Sequence, residues 1–163
     1  MSSTNLPGAV DDLTRLYRET ILHHAHHPVG FRKAIRETHR NEQFNPLCGD
    51  RIVVLLELEG EIIRDAAFDG EACAICKSSA SLLCERSPGR SVGSMLETQR
   101  WLESALQRDE DPAGYEELQP LLGVRRYPSR IRCALLPWIA LAEAVQTSGK
   151  DRIKPSVPPS PRT

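Results

Sequence analysis

Cysteine is the residue type in this sequence whose number and spacing suggest chemistry. Four of the five cysteines fall between Phe44 and Cys84, and the fifth is Cys133. The odd number argues against a framework of disulfides, which is typical of short secreted chains in an oxidising compartment. We therefore expect the thiols to bind a metal ion or to react as thiolates.

One loop combines a cysteine with a carboxylate. The segment Asn45-Pro46-Leu47-Cys48-Gly49-Asp50 leads into an apolar run that is typical of a strand. Gly49 permits a backbone bend that brings the side chains of Cys48 and Asp50 to one side. Because zinc accepts both sulfur and carboxylate oxygen, this loop could supply two ligands of a zinc site.

Two further cysteines lie where helices are predicted to begin. Cys73 follows the second predicted strand, and Cys133 follows the basic run Arg130-Ile131-Arg132. The partial positive charge at a helix start favours the thiolate form of cysteine. The same partial charge repels nearby arginines unless an anion compensates for it. Three thiolates with the Asp50 carboxylate would supply that anion. These donors indicate a candidate tetrahedral zinc site.

The remaining cysteines and the histidines have ordinary interpretations. Any single cysteine is about as often a small buried hydrophobic residue as it is a ligand or a reactive thiol. Cys84 fits the buried role, because it lies about two helical turns beyond Cys76. Cys76 completes a C-x-x-C with Cys73, which could be a redox pair, half of a zinc knuckle or a coincidence. We interpret Cys76 as a passive neighbour, because four donors already satisfy zinc. The four histidines within 23–27 end a predicted surface helix and complement its dipole, so a metal role is less favoured.

Hydrophobic periodicity predicts the elements that must position these residues. Apolar side chains at three- and four-residue steps indicate helices, and alternating apolar residues around Glu59-Gly60 indicate a hairpin. Pro88-Gly89 and Asp111-Pro112 are signals that end helices. The predicted elements are a helix over residues 10–27 capped by Asp11 or Asp12, strands over 51–58 and 61–68, a helix over 73–86, two helical patterns between 92 and 122, and a last helix over 133–145, which Pro137 is expected to shorten.

The predicted elements assemble into an α+β fold, with a small antiparallel sheet and helices packed on one side. We expect a flexible N-terminus over residues 1–9, one domain over 10–146 and a disordered, proline-rich tail over 147–163. The buried strand positions are predicted to be Ile52, Val54, Leu56 and Leu58 on the first strand and Ile62, Ala66 and Phe68 on the second.

Composition and charge argue against two classes of partner. The formal net charge is −1 and the pI is about 6.5, so nucleic acid is not expected, because no basic field exists for a phosphate backbone. The first residues lack a positive segment followed by an apolar run, and no stretch reaches the roughly 18 apolar residues that span a bilayer. We therefore expect a cytosolic protein without a membrane partner.

Taken in order, the cysteine motifs resemble those of a known family. They are Asn45-Pro46-x-Cys48-Gly49-Asp50, then Phe68-x-Gly70-Glu71-x-Cys73 followed by Ser78-Ser79-Ala80-Ser81, and finally Pro128-x-Arg130-Ile131-x-Cys133. The N-terminal Leu16-Tyr17-Arg18-x-x-Ile21-x-x-His24-x-x-x-Pro28 fits as well. Residues 10–146 thus resemble the NifU N-terminal/IscU family of iron–sulfur cluster assembly proteins. Arg132, where the scaffold type has a histidine, and an insertion over about 92–122 make the chain more similar to the SufU type.

The resemblance implies an activity and a site. SufU proteins hold zinc with three cysteines and an aspartate, and they accept persulfide sulfur from a SufS-type pyridoxal-phosphate cysteine desulfurase. The sulfur would pass to downstream iron–sulfur assembly proteins, and it stays open whether this sulfurtransferase-like partner of the desulfurase is itself an enzyme. Carried onto this sequence, the implied sulfur acceptor is Cys48 with Arg130 close to it, and the implied zinc ligands are Cys48, Asp50, Cys73 and Cys133.

Two alternatives stay open at this point. A scaffold would build a [2Fe-2S] cluster on the same four ligands, since soft thiolate sites suit iron as well as zinc. A non-catalytic adaptor would use zinc only to stabilise its fold and would recruit a partner through its surface.

Overall fold

Three antiparallel strands form a sheet in sequence order, with the second strand in the middle. The computed structural model describes residues 2–108 and 112–146, and it describes their side chains from residue 14 onward. The strands are β1 (His39–Asn45), β2 (Asp50–Glu59) and β3 (Ile62–Glu71).

Helices cover one face of this sheet, as predicted. The last helix packs against β1 and β2, the second helix packs on the last, and the first packs on the second. None of the helices in the described part of the chain has the length and apolar character that a bilayer crossing requires. The helices are α1 (Ser2–His26), α2 (Ala74–Arg86), α3 (Val92–Ala105) and α4 (Ile131–Gln146), with 3₁₀ helices over Glu116–Arg126 and Pro128–Arg130.

The predicted hairpin of β2 and β3 is present, with one correction to its buried face. Ile62, predicted to be buried, is 37% exposed, whereas its neighbour Ile63 is fully buried. The strand pairing changes register between Glu57 and Leu58, which leaves Arg64 as an extra residue in β3. Such a β-bulge interrupts the alternation of side chains between the two faces, so alternation alone assigned the wrong isoleucine.

β1 is absent from the sequence predictions because its residues, HRNEQFN, show no apolar alternation. The strand pairs with β2 from His39 opposite Leu56 to Asn45 opposite Asp50. α4 covers it on the helical side of the sheet. The pairing makes residues 46–49 the turn of a second hairpin, and this turn carries Cys48.

α1 is longer than predicted. It begins at Ser2 rather than near Val10, so neither Asp11 nor Asp12 is its cap, and the flexibility of residues 1–9 stays a prediction. An aspartate costs only about 0.7 kcal/mol inside a helix relative to alanine, so it is a weak signal for a helix start.

α4 is not shortened by Pro137, contrary to the prediction. The helix runs over Ile131–Gln146 with Pro137 buried in its interior. Proline cannot donate to the carbonyl four residues earlier, here that of Cys133, at a cost of about 3 kcal/mol. Packing offsets this cost, since α4 is buried on all sides over residues 133–138 and the Trp138 indole N–H donates to the Ser79 hydroxyl of α2 at 3.0 Å.

Two helical segments follow from residue 92, as predicted, although the second continues past residue 122 to Arg126. The first is α3, and the second is the 3₁₀ helix Glu116–Arg126, with Pro120 inside it. Asp111, part of the predicted helix break, and the predicted disordered tail over 147–163 lie outside the described residues.

His24 is a buried contact between α1 and α2, which corrects the prediction that the histidine cluster lies on the surface. Its exposed fraction is 9%, and its Nδ1 lies 2.7 Å from the Ser81 hydroxyl, which also accepts the Val29 N–H at 2.8 Å. Burial lowers the pKa of His24, and the Glu85 carboxylate, 3.8 Å from Nε2, opposes this in part. His24 therefore packs in its neutral form. The exposed members of the cluster are His23, His26 and His27.

We predict that His24 makes the fold less stable in mild acid. Its pKa in the folded chain is below the ordinary value of about 6.5, so the unfolded chain binds more protons as the pH falls through that value. The free energy of unfolding, measured by urea denaturation, should fall between about pH 7 and about pH 5, and it should fall less steeply in His24→Gln. His26→Gln, at an exposed position of the same helix, should keep the wild-type slope. An unchanged slope in His24→Gln would contradict the assignment.

Candidate metal centre

The turn between β1 and β2 presents Cys48 and Asp50 together. The N–H groups of Cys48 and Gly49 donate to the Asn45 carbonyl oxygen at 3.1 and 2.8 Å. Gly49 has a φ of +76°, in the left-handed region that favours glycine, so the predicted bend is present. Cys48 is exposed, whereas Asp50 is 2% exposed. The turn thus offers one accessible and one buried donor.

Asp50 joins this turn to the start of α2. Its Oδ1 accepts the backbone N–H of Cys73 at 2.8 Å, and its Oδ2 lies 3.6 Å from the Cys73 sulfur. Cys73 is the N-cap residue of α2, which places it at a helix start as predicted. Gly70, with a φ of +135°, lets the end of β3 lie close to β2, because a Cβ there would collide with the Arg51 carbonyl oxygen. This close approach brings Cys73 to Asp50.

Cys133 brings a third thiol from α4. It is fully buried, and its sulfur lies 3.2 Å from the Cys48 sulfur. The donor atoms of Cys48, Asp50 and Cys133 all lie within 4.8 Å of one another. The structure therefore brings together three of the four side chains predicted as ligands, and the fourth, Cys73, lies outside this group but contacts Asp50.

Asn45 contacts two of these sulfurs, a role that sequence reasoning missed. Its Nδ2 donates to the Cys48 sulfur at 3.4 Å and to the Cys133 sulfur at 3.8 Å. Its Oδ1 accepts the Leu47 N–H at 3.2 Å, so the same side chain also braces the turn. The available signal was its place at the head of the first cysteine motif, but the contact to Cys133 depends on the unpredicted strand β1.

Burial governs the protonation of the deepest thiol. It raises the pKa of Cys133, and hydrogen bonds with Asp50 and Cys48 are the next causes. The expectation that a helix start favours the thiolate of Cys133 is therefore wrong for the polypeptide alone. Removing a thiol from water penalises its charged form more than the end of one helix stabilises it.

The donor set and its charge fit a bound cation. Within the described residues, neither arginine nor lysine forms an ion pair with the buried Asp50 carboxylate. A buried carboxylate is costly unless hydrogen bonds or a cation compensate for its lost hydration. Three sulfurs and one carboxylate are donors that a tetrahedral zinc ion accepts. These residues therefore fit zinc.

Cys76 and Cys84 lie outside this donor group. Cys84, 2% exposed, packs against Gly30 in the core, as predicted. Cys76 is fully buried, and its backbone N–H donates to the Cys73 sulfur at 3.5 Å. Burial raises the pKa of both thiols. Among the described residues, the histidines within 23–27 are not part of any cluster of three or more candidate ligands.

Arg130 is exposed in the short 3₁₀ helix that precedes α4. Burial raises the pKa of Tyr17, and the charges of Tyr127, Arg130 and Cys73 also act on it, so Tyr17 lies near both Arg130 and Cys73. The predicted closeness of Arg130 to Cys48 stays a prediction. An open cavity of about 360 Å³ on this side is lined by Tyr17, Ile75, Tyr127, Ser129 and Arg130.

Comparison with known families agrees with this geometry. Residues 16–147 match the family model that is described as NifU-like N terminal domain. The chain belongs to this family. The resemblance inferred from the cysteine motifs is therefore confirmed, and with it the place of the chain among the IscU-like and SufU-like proteins of iron–sulfur cluster assembly.

Two relatives whose names state different functions each align with most of this chain. Zinc-dependent sulfurtransferase SufU of Bacillus subtilis is 33% identical over 136 residues, which cover 82% of this chain and 92% of the relative. Iron-sulfur cluster assembly scaffold protein IscU of Streptococcus pyogenes is 32% identical over 144 residues, which cover 86% and 89%. The crystal structure of a NifU-like protein (N-terminal) from Brucella abortus has the same fold, with a TM-score of 0.73 at 21% identity, covering 80% of this chain and 92% of its own.

We predict that Asn45 strengthens zinc binding. Asn45→Ala removes the donor to two sulfurs and the brace on the turn, so the zinc affinity should fall about 10- to 100-fold, as is usual when a group that orients metal ligands is lost. Competition with a chromophoric chelator measures this affinity. The matched control is Gln43→Ala, which removes a side chain bonded to Asn41 within β1 and should leave the affinity unchanged. Equal affinities in the two variants would contradict the role of Asn45.

Proposed function

We propose that this chain is a zinc-dependent sulfur acceptor of the cytosol. It takes persulfide sulfur from a SufS-type pyridoxal-phosphate cysteine desulfurase and passes it to downstream iron–sulfur cluster assembly proteins. The zinc ligands are Cys48, Asp50, Cys73 and Cys133, and Cys48 is the acceptor. One observation carries the proposal: of the three thiols gathered around Asp50, Cys48 is the exposed one.

The three thiols differ in their access to a partner protein. Cys48 lies on the turn after Leu47, whose exposed fraction of 91% leaves this side of the turn open. Cys73 is half-buried and Cys133 is fully buried. A partner that presents a persulfide therefore reaches Cys48 without displacing the sheet or the helices.

The transfer is a thiol exchange that balances without an added oxidant or reductant. The Cys48 thiolate attacks the terminal sulfur of the donor persulfide, so that a new S–S bond forms and the S–S bond of the donor breaks. The desulfurase cysteine leaves as a thiolate, and Cys48 then carries the persulfide. Bound zinc would supply the positive charge that keeps the thiols deprotonated, with no redox activity of its own.

Arg130 is proposed to assist through its positive charge. Its guanidinium is exposed beside the cavity at Tyr17, and it is absent from the ion pairs of the described residues. A persulfide is anionic when its terminal sulfur is deprotonated, and the proposed closeness of Arg130 to Cys48 would let the guanidinium favour its approach.

A cluster scaffold is the second candidate function, since a relative of nearly equal identity carries that name. Thiolate-rich sites also suit iron. Sulfur acceptance is favoured because the fourth donor is a carboxylate, whereas iron–sulfur clusters are mostly held by four cysteines. The third candidate, a zinc-stabilised adaptor, gives no reason for Cys48 to be exposed.

We predict that Cys48 alone carries the transferred sulfur. After incubation with a SufS-type desulfurase and cysteine, the tryptic peptide 41–51 should gain the mass of one sulfur atom in mass spectrometry without reductant. Cys48→Ala should accept no sulfur, because alanine has no nucleophile at this position. Cys84→Ala removes a buried core thiol and should accept sulfur like the wild type.

The same samples distinguish the rival functions. Iron and inorganic sulfide bound in place of zinc would support the scaffold. Zinc bound at one per chain, with no sulfur added while the desulfurase is active, would support the adaptor and contradict the proposal.

A further inference from the structure

We propose that Cys73 and Cys76 form a redox-active dithiol, which closes to a disulfide when the chain meets hydrogen peroxide. Closure would remove one thiolate from the metal centre and so weaken metal binding. That consequence rests on the function proposed above, whereas formation of the disulfide does not.

The start of α2 holds the two cysteines close together. Cys73 is the N-cap residue, and its sulfur accepts the backbone N–H of Cys76 at 3.5 Å. The Cys76 sulfur is three bonds from that nitrogen, so rotation of one side chain brings the thiols towards each other. A C-x-x-C motif that begins at a helix start is the arrangement that disulfide oxidoreductases use for dithiol chemistry.

The exposure of the two thiols suits an attacking and a resolving cysteine. Cys73 is half-buried, so a molecule as small as peroxide reaches its sulfur. Cys76 is fully buried and is shielded from direct oxidation. In the described part of the chain, no hydrogen bond to another group holds the Cys76 sulfur away from Cys73.

The reaction balances with peroxide as the oxidant. The Cys73 thiolate attacks one peroxide oxygen, the O–O bond breaks, and the released hydroxide takes a proton to become water. The resulting sulfenic acid is attacked by the Cys76 sulfur, the S–O bond breaks, and the leaving hydroxide takes the Cys76 proton as a second water. Two thiols lose two electrons and two hydrogens in total, and one peroxide is reduced.

Cys48 and Cys133 are the competing pair, because their sulfurs lie 3.2 Å apart. In the proposed metal centre Cys48, Cys133 and Cys73 are all ligands. Cys76 lies beside the centre and is not a ligand. A disulfide with Cys76 therefore leaves Cys48 and Cys133 as thiols, and reduction restores the full donor set.

Tryptic mapping separates the two disulfides, because Cys73 and Cys76 share one peptide and the other cysteines do not. The full-length protein is treated with about one equivalent of hydrogen peroxide, unfolded in acid, alkylated and digested. The expected product is peptide 65–77, lighter by two hydrogens, unalkylated and restored by dithiothreitol. The other cysteine peptides, which should stay alkylated, are 41–51, 78–86 and 133–150.

Two variants test the assignment of the resolving thiol. Cys76→Ser should lose the disulfide in peptide 65–77 completely and accumulate a Cys73 sulfenic acid that dimedone traps. Cys84→Ser changes another buried thiol of the same helix and should behave as the wild type. If Cys76→Ser fails to fold, the wild-type map decides alone.

The proposal is overturned if peptide 65–77 stays alkylated at both cysteines, or if peptides 41–51 and 133–150 are cross-linked instead. Zinc content, followed with a chelator dye, gives a separate readout. Zinc released by peroxide should return after dithiothreitol in the wild type even when dimedone is added first, whereas in Cys76→Ser dimedone should trap the Cys73 sulfenic acid and block the return. A chain that binds no zinc but forms the disulfide would contradict the proposed function alone, and a zinc-binding sulfur acceptor that forms no such disulfide would contradict this inference alone.

Discussion

The buried carboxylate of Asp50 is the interaction on which the site depends. One of its oxygens accepts the N–H of Cys73 at 2.8 Å, which ties the start of β2 to the start of α2. The thiols of Cys48 and Cys133 lie within 4.8 Å of its donor oxygen. A carboxylate that is 2% exposed requires compensation for its lost hydration, and one backbone N–H supplies part of it. The sulfurs thus gather where the fold has buried a negative charge, which is where a divalent cation is most stabilising.

The surrounding fold gives each donor a different degree of support. Cys73 and Cys133 belong to helices packed against the sheet, and Asp50 begins the central strand. Cys48 lies on a turn, held through Asn45 and otherwise open to solvent. A partner can therefore engage one thiol while the other three donors keep their places, which is what a sulfur acceptor built on a metal site requires.

The sequence predicted the hairpin and the helix at Cys73, because these depend on local signals, whereas the set of donors joins distant segments and was implied by the resemblance of the cysteine motifs. Apolar alternation, a glycine beside Cys48 and small residues after Cys73 are visible over a few positions. Strand β1, the exposure of Ile62 and the burial of His24 depend on contacts between distant segments. A polar strand covered by α4, a bulge at Arg64 and a histidine facing the Ser81 hydroxyl leave no local pattern. The role of Asn45 was hidden for the same reason.

Zinc K-edge X-ray absorption spectroscopy of the purified protein tests the central claim most directly, because it reports the donors around the metal. The account predicts one zinc per chain with three sulfur donors at about 2.3 Å and one oxygen donor at about 2.0 to 2.2 Å. A zinc shell made only of nitrogen and oxygen, or a sample that holds iron and sulfide in place of zinc, would contradict a zinc centre formed by Cys48, Asp50, Cys73 and Cys133.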